Sequence, residues 1–113
     1  MRSQAVQIEI LGFAGCPHFL PAVECARAAL RETGVEAVIR EINVENDQAV
    51  SDVSFLGSPT IRINGLDVEP AARTSNDFGF GCRTYVVNGR RQGLPPREWI
   101  EATIHEATRN EAV

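Results

Sequence analysis

The chain has few basic residues and no long apolar run. Its 113 residues include 11 Lys and Arg against 15 Asp and Glu, a formal net charge of −4. Nucleic-acid surfaces cluster Lys and Arg to neutralise phosphates, so this balance argues against a nucleic-acid partner. No run reaches the ~18 apolar residues of a membrane span, and Gln4, Gln7 and Glu9 interrupt the apolar segment that a secretory signal needs. We therefore expect a cytoplasmic protein with no membrane partner.

Cysteines are also few, and their spacing excludes two common arrangements. There are three, an odd number that fits a secreted disulfide framework poorly and reduced or reactive thiols better. No compact array of paired Cys and His motifs is present, so a structural zinc site is not expected. Cys16 starts no C-x-x-C motif, because position 19 is Phe19. The cysteines must therefore be interpreted one by one.

The length predicts one domain spanning residues 1–113, and 43% hydrophobic content can supply a core without staples. Alternating apolar residues predict strands, and apolar residues spaced by three and four predict helices. The terminal-helix face comprises Trp99, Ile100, Thr103, Ile104 and Ala107. The predicted order is strand 6–11, helix 16–33, strand 35–44, short helix 45–56, strand 58–63, an Asn64-Gly65 hairpin to 66–68, an excursion over 71–82, a β-rich piece 83–89 and helix 97–110.

Cys16 falls where the first predicted helix begins. The positive end of the helix dipole and free backbone N–H groups favour a thiolate there, so we expect Cys16 to be reactive, with a buried structural cysteine as the alternative. His18 could add a positive charge or a donor, or could simply be solvated. Cys25 lies nine residues later, about half a turn around the helix, and is interpreted as core packing.

Three motifs together resemble the thioredoxin/glutaredoxin superfamily: GFAGCPHF at 12–19, GSPTIRI at 57–63 and INGLDVEP at 63–70. The resemblance covers about residues 6–68 and the last helix. It implies a three-layer α/β fold, with a mixed sheet of about four strands flanked by helices. It also implies that Pro59, after Ser58, is cis and faces Cys16. Because Phe19 replaces the second redox cysteine, the pattern is closer to a monothiol member.

Two narrower resemblances concern the same residues. Cys16-Pro17-His18 is similar to the active-site motif of DsbA-type oxidases, which have a strongly acidic thiol. Together with Ser58-Pro59-Thr60, Val68-Glu69-Pro70 and GCRTY at 81–85, it also resembles small bacterial thioredoxin-like proteins associated with mercury resistance and described as alkylmercury-lyase-like.

Cys82 is the candidate partner for Cys16. In a glutaredoxin-like topology the excursion that it ends returns toward Cys16 and Pro59, and Gly79 and Gly81 permit a close approach. The alternative is an ordinary loop cysteine. We expect Cys16, Pro17, His18, Ser58, Pro59 and Cys82 to form the site.

Three functions follow from these residues. The first is a thiol–disulfide oxidoreductase of monothiol or split-dithiol type, acting on protein or small thiols and disulfides such as glutathione. The second is a thiolate site for a soft metal or organomercurial, with His18 or Asp77 nearby. The third is a non-catalytic adaptor, although the assigned core faces leave no exposed apolar stripe for a partner. No resident cofactor is indicated. Phe13, Phe19, Phe78 and Phe80 are interpreted as core and loop packing, or as an apolar rim.

Overall fold

The fold is known from a computed structural model that describes residues 5–111. The predicted domain of residues 1–113 therefore extends at both ends outside the described residues. Within residues 5–111, no helix is both long enough and apolar enough to cross a membrane.

A mixed four-stranded sheet forms the centre of the fold, in the order β2-β1-β3-β4. β1 pairs with β2 in parallel and with β3 antiparallel, and it places Ile10 opposite Ile61. Asn64 and Gly65 join β3 to β4 with positive φ values of 50° and 83°, as the hairpin prediction requires. The strands are β1 (Val6–Gly12), β2 (Ala37–Asn43), β3 (Thr60–Ile63) and β4 (Leu66–Asp67). This confirms an α/β fold with a mixed sheet.

Three α-helices accompany the sheet in the described part of the chain: α1 (Phe19–Thr33), α2 (Asp47–Val53) and α3 (Arg97–Glu111). Gly34 ends α1 in the left-handed conformation, with φ 68° and its N–H bonded to the Leu30 carbonyl. The Asn46 side chain caps α2 by accepting a hydrogen bond from the Ala49 N–H at 2.9 Å. These short-range signals account for where the helices end and begin.

The first helix begins later than predicted, at Phe19 rather than Cys16. An α-helical bond from position 21 to the carbonyl of residue 17 is impossible, because Pro21 has no N–H to donate. The first i+4 bond in this region therefore runs from Ala22 N to His18 O, at 3.0 Å. Cys16 consequently lies in the turn that leads into α1.

The two faces of the sheet carry different cores. On one face, α1 and α3 pack over the alternating residues Ile8, Ile10, Ile61 and Ile63, all fully buried. On the other face, Leu11 packs with Val44, Val50 and Phe55 around α2. The buried face predicted for the terminal helix is confirmed for Ile100, Thr103, Ile104 and Ala107, while Trp99 is half-buried.

The segment between β4 and α3 contains a short 3-10 helix and a two-stranded hairpin. The 3-10 helix Pro70–Ala72 was not predicted. The hairpin pairs β5 (Tyr85–Val87) with β6 (Arg90–Gln92), and the Asn88-Gly89 turn joins them as its sequence indicates. The stretch between these two features carries Cys82.

Candidate functional site

The Cys16 turn connects β1 to α1 at one end of the sheet. The Cys16 N–H donates to the Phe13 carbonyl at 3.2 Å, and the Cys16 carbonyl accepts from the Phe19 N–H at 3.3 Å. Gly15 makes the turn possible with φ 90°, a conformation that side chains disfavour. The Cys16 side chain is half-buried, while Pro17 and His18 are exposed. Cys16 is therefore held by its backbone in front of α1 and retains access to solvent.

Ser58 and Pro59 lie beside this turn, directly before β3, the strand next to β1. The peptide bond between them is cis, as the resemblance implies, and both residues are buried. A Cβ atom added to Gly12 would lie 2.6 Å from the Ser58 hydroxyl oxygen and would also overlap the Phe19 ring. Gly12 thus allows Ser58 and Phe19 to pack directly over the end of β1. The Ser58 hydroxyl oxygen is buried and has no hydrogen-bond partner among residues 5–111.

Cys82 is paired in register with Ser58. The Ser58 N–H donates to the Gly81 carbonyl at 2.8 Å, and the Arg83 N–H donates to the Ser58 carbonyl at 2.9 Å, forming an isolated parallel bridge. The bridge places the main chain of Cys82 beside Ser58, next to the end of β1. The Cys82 side chain is exposed, and all three cysteines are free thiols.

An aromatic contact connects the two cysteine-bearing segments directly. The rings of Phe13 and Phe80 lie 4.8 Å apart between centroids, a stacking distance. Phe13 is three residues before Cys16, and Phe80 is two residues before Cys82. The excursion therefore returns to the end of the sheet at which the Cys16 turn lies.

The structure separates the residues considered as additional metal ligands. The His18 ring lies against Gly93, in the connection between β6 and α3, where an added Cβ would overlap it. Asp77 lines a cavity of about 280 Å³ together with Cys82 and Phe80. In the described part of the chain, no three His, Cys, Asp or Glu residues converge as a metal site. A site formed by both thiols with His18 or Asp77 as a third ligand is therefore not assembled.

Cys25 belongs to the helical core, as predicted. It is half-buried on α1 and packs against the core cluster that α1 shares with α3. Burial raises the pKa of the Cys25 thiol; Arg97 opposes this shift, and Glu98 and Glu101 add to it. Cys25 is thus kept in the thiol form and apart from the Cys16 turn.

We predict that Cys25 is alkylated more slowly than Cys82 at mildly alkaline pH. The thiolate is the reacting form, and burial both raises the pKa of Cys25 and restricts access to it, whereas Cys82 is exposed. Timed iodoacetamide labelling followed by peptide mass spectrometry measures both rates in one sample. Equal rates in the folded protein, with unfolded protein as the reference, would show that Cys25 is not protected.

A buried ionic network lies next to Cys82, and sequence reasoning missed it. The Arg83 guanidinium makes paired hydrogen bonds to the Asp67 carboxylate at 2.8 and 2.9 Å. It also donates to Glu69 at 3.0 Å and to the Thr60 hydroxyl at 3.2 Å. The Arg83 and Asp67 side chains are only 7% and 4% exposed. Asp67 and Arg83 are separated along the chain by the whole excursion, so no local pattern indicates their pairing.

Tyr85 extends this network to Pro59. Its hydroxyl donates to the Pro59 carbonyl at 2.6 Å, and the Arg83 guanidinium carbon lies 4.4 Å from the centre of its ring. Burial acts to lower the pKa of Arg83, but hydrogen bonding to Asp67 and the neighbouring charges raise it above its usual value. Burial raises the pKa of Tyr85, partly opposed by Arg83. Arg83 is therefore held charged and Tyr85 neutral beneath the Ser58-Pro59 segment.

We predict that Tyr85 ionises at a higher pH than the same residue in the unfolded chain, where the pKa is ~10. Because the folded-state pKa is raised, the corresponding stability is present below pH ~10 and is lost as the pH rises toward the folded-state pKa. The chain has a single tyrosine, so tyrosinate absorbance reports Tyr85 alone. Ionisation at the unfolded-state midpoint, while Trp99 fluorescence still reports a folded protein, would contradict this prediction.

Several large apolar side chains are exposed, while the expectation that no apolar stripe is left for a partner stays a prediction. Leu20, Phe78 and Phe80 are 66%, 42% and 46% exposed. Phe19 and Val23 take the core-facing positions at the start of α1, which leaves Leu20 on the outer side. Phe13 and Phe19 pack against the two core clusters, and Phe80 contacts the Phe13 ring.

Comparison with known proteins assigns no relative. No protein-family model matches the chain, and no curated protein matches it either. The function is therefore inferred from the residues of the site.

Proposed function

We propose that this protein is a thiol–disulfide oxidoreductase with a thioredoxin-like fold, in which Cys16 attacks a disulfide and Cys82 resolves the product. The sheet order β2-β1-β3-β4 supports the fold, with β1 and β2 parallel and connected through α1. The proline directly before β3 and the hairpin after this strand also support the proposed fold.

The observation that carries the proposal is the pairing of Cys82 with Ser58. This pairing brings a second thiol to the sheet end that bears the Cys16 turn, although position 19 holds phenylalanine. Backbone hydrogen bonds from the residues on either side of Cys82 hold its main chain beside Ser58, while its side chain remains exposed. The arrangement suits a dithiol whose second cysteine comes from a loop instead of the first turn of α1.

The first step is attack by the Cys16 thiolate on one sulfur of a substrate disulfide. A bond forms between Cys16 Sγ and that sulfur, the substrate S–S bond breaks, and the other half leaves as a thiolate. The positive end of the α1 dipole lies next to the turn that holds Cys16, a setting that favours an anionic sulfur. The product is a mixed disulfide at Cys16.

The second step is attack by the Cys82 thiolate on Cys16 Sγ. The mixed disulfide breaks, the bound half leaves as a thiolate, and a Cys16–Cys82 disulfide forms. The substrate disulfide has then gained two electrons, which the two protein thiols have lost. Two molecules of a small thiol such as glutathione restore the reduced protein and become one glutathione disulfide.

The first step can be trapped by removing the resolving thiol. Reduced Cys82→Ser protein is mixed with glutathione disulfide, quenched with acid and mapped by mass spectrometry. We expect one glutathionyl group on Cys16, because its mixed disulfide has no partner thiol to resolve it. The Cys25→Ser variant is the matched control, since it removes a thiol of the same helix region that has no role in the reaction; it should react as the wild type does.

Three results would contradict the proposal in different ways. If glutathione is found only on Cys82, in the wild type as well as in the Cys16→Ser variant, then Cys82 is the reactive thiol. Unreacted thiols throughout would favour a non-catalytic adaptor. Stoichiometric Hg(II) binding that needs both Cys16 and Cys82, without any reaction with glutathione disulfide, would favour the soft-metal site.

A further inference from the structure

Arg83 holds the segment that presents Cys82. Its guanidinium donates four hydrogen bonds, two to Asp67 and one each to Glu69 and Thr60. The acceptors belong to β3, to β4 and to the residues directly after β4. Because these groups are held by the sheet, the arginine ties residue 83 to the rigid part of the fold.

The backbone of the same segment is also hydrogen-bonded to Ser58, directly before β3. Gly81 and Arg83 bond to the N–H and carbonyl of Ser58, one residue on each side of Cys82. A Cβ atom on Gly57 would lie 2.9 Å from the Arg83 Cβ and 3.1 Å from the Gly81 carbonyl oxygen. Glycine at position 57, with φ 112°, therefore lets the segment approach the start of β3 closely.

We propose that Arg83 is a positioning residue for the resolving step, setting the rate at which Cys82 attacks Cys16 Sγ in the mixed disulfide. This inference rests on the proposed function. Because the Cys82 side chain is exposed, its placement depends mainly on the residues that flank it. The nucleophile of the first step belongs to a different segment, the turn between β1 and α1, which hydrogen-bonds through Phe13 and Phe19.

Because the two thiols lie on different segments, a change at Arg83 should affect the rates of the two steps differently. An Arg83 variant should slow the loss of glutathione from Cys16 and leave the formation of the mixed disulfide nearly unchanged. A misplacement of about 1 Å in a reacting group can cost ~100-fold in rate, so a slowing of at least about tenfold is expected. General loss of structure would slow both steps, and this distinguishes positioning from a purely structural role.

The test is a single-turnover reaction of reduced protein with excess glutathione disulfide, quenched at intervals and analysed by mass. It yields one rate for glutathionylation of Cys16 and one for conversion to the Cys16–Cys82 disulfide. Arg83→Lys keeps the charge but loses the paired geometry to Asp67. Arg73→Lys is the matched control, because Arg73 lies in the same excursion but pairs with the Glu106 carboxylate and contacts Asp67 only at its backbone carbonyl. Asp67→Asn weakens the same Arg83 contact from the other side and supplies the measurement if Arg83→Lys does not fold.

We expect normal glutathionylation and slow resolution in Arg83→Lys and Asp67→Asn, with both rates normal in Arg73→Lys. Normal resolution in the Arg83→Lys and Asp67→Asn variants that fold would overturn the inference and leave the proposed function intact. Equal slowing of both steps would also overturn it. Absence of glutathionylation in the wild type would instead refute the proposed function itself, on which this inference rests.

Discussion

Replacing Arg83 with methionine is expected to lower the free energy of unfolding by about 3–5 kcal/mol. Methionine fills much of the same space, so the main change is the loss of a buried positive charge. The Asp67 carboxylate, 4% exposed, would lose both hydrogen bonds from its ion-pair partner and keep the Glu69 N–H as a donor. Glu69 and Thr60 would each lose a hydrogen-bond donor as well. Urea unfolding followed by Trp99 fluorescence measures the loss.

Two variants give this measurement its controls. Arg73→Met breaks a paired contact to Glu106 and a hydrogen bond to the Asp67 carbonyl, but the ion pair is 22% and 36% exposed, so a smaller loss of about 1–2 kcal/mol is expected. Adding Asp67→Asn to Arg83→Met should recover part of the stability, because it removes the uncompensated carboxylate. Equal losses in Arg83→Met and Arg73→Met would show that burial of the Arg83 network adds nothing to the free energy of unfolding.

Replacing Gly12 with alanine is expected to cost about 1–3 kcal/mol and to disturb the Cys16 turn. The new methyl group would overlap the Phe19 ring and lie 2.6 Å from the Ser58 hydroxyl oxygen. Phe19 is the first residue of α1, and Ser58 is paired with Cys82. Relief of the overlap must therefore shift one of the two segments that carry the thiols. Urea unfolding gives the stability, and glutathionylation of Cys16 reports the turn.

Gly79→Ala is the matched control for this substitution. A Cβ atom at Gly79 would meet nothing within 4 Å, so the same chemical change adds no overlap there. We expect its stability to lie within ~1 kcal/mol of the wild type. If both variants are equally stable, the packing of Ser58 and Phe19 over Gly12 is looser than the structure indicates.

Much of the fold follows from short-range patterns. The apolar spacing in α1 and α3, the alternation in β1 and the two Asn-Gly turns each depend on residues that are close in sequence. These elements lie within a few residues of their predicted bounds. The late start of α1 is also local in origin, because it follows from the missing N–H of Pro21.

The candidate site depends on contacts that no local pattern encodes. The position of Cys16 directly after β1 could be predicted from the sequence, although its turn was predicted as the start of α1. The pairing of Cys82 with Ser58, and of Arg83 with Asp67, depends on the path of the excursion in three dimensions. From the sequence, the glutaredoxin-like topology implied only that the excursion returns toward Cys16 and Pro59. The buried arginine that holds this loop became visible only with the tertiary structure.

The proposed resolving step requires that Cys16 and Cys82 can form a disulfide with each other. Reduced wild-type protein is oxidised with one equivalent of diamide at low protein concentration, alkylated, digested and mapped by mass spectrometry. A disulfide requires Cα atoms within about 7 Å, so its formation reports that the two segments meet. We predict a Cys16–Cys82 linkage with Cys25 recovered as an alkylated thiol, and no intramolecular linkage in Cys82→Ser. Recovery of Cys16 and Cys82 as unlinked thiols, or a linkage through Cys25, would contradict the split-dithiol account.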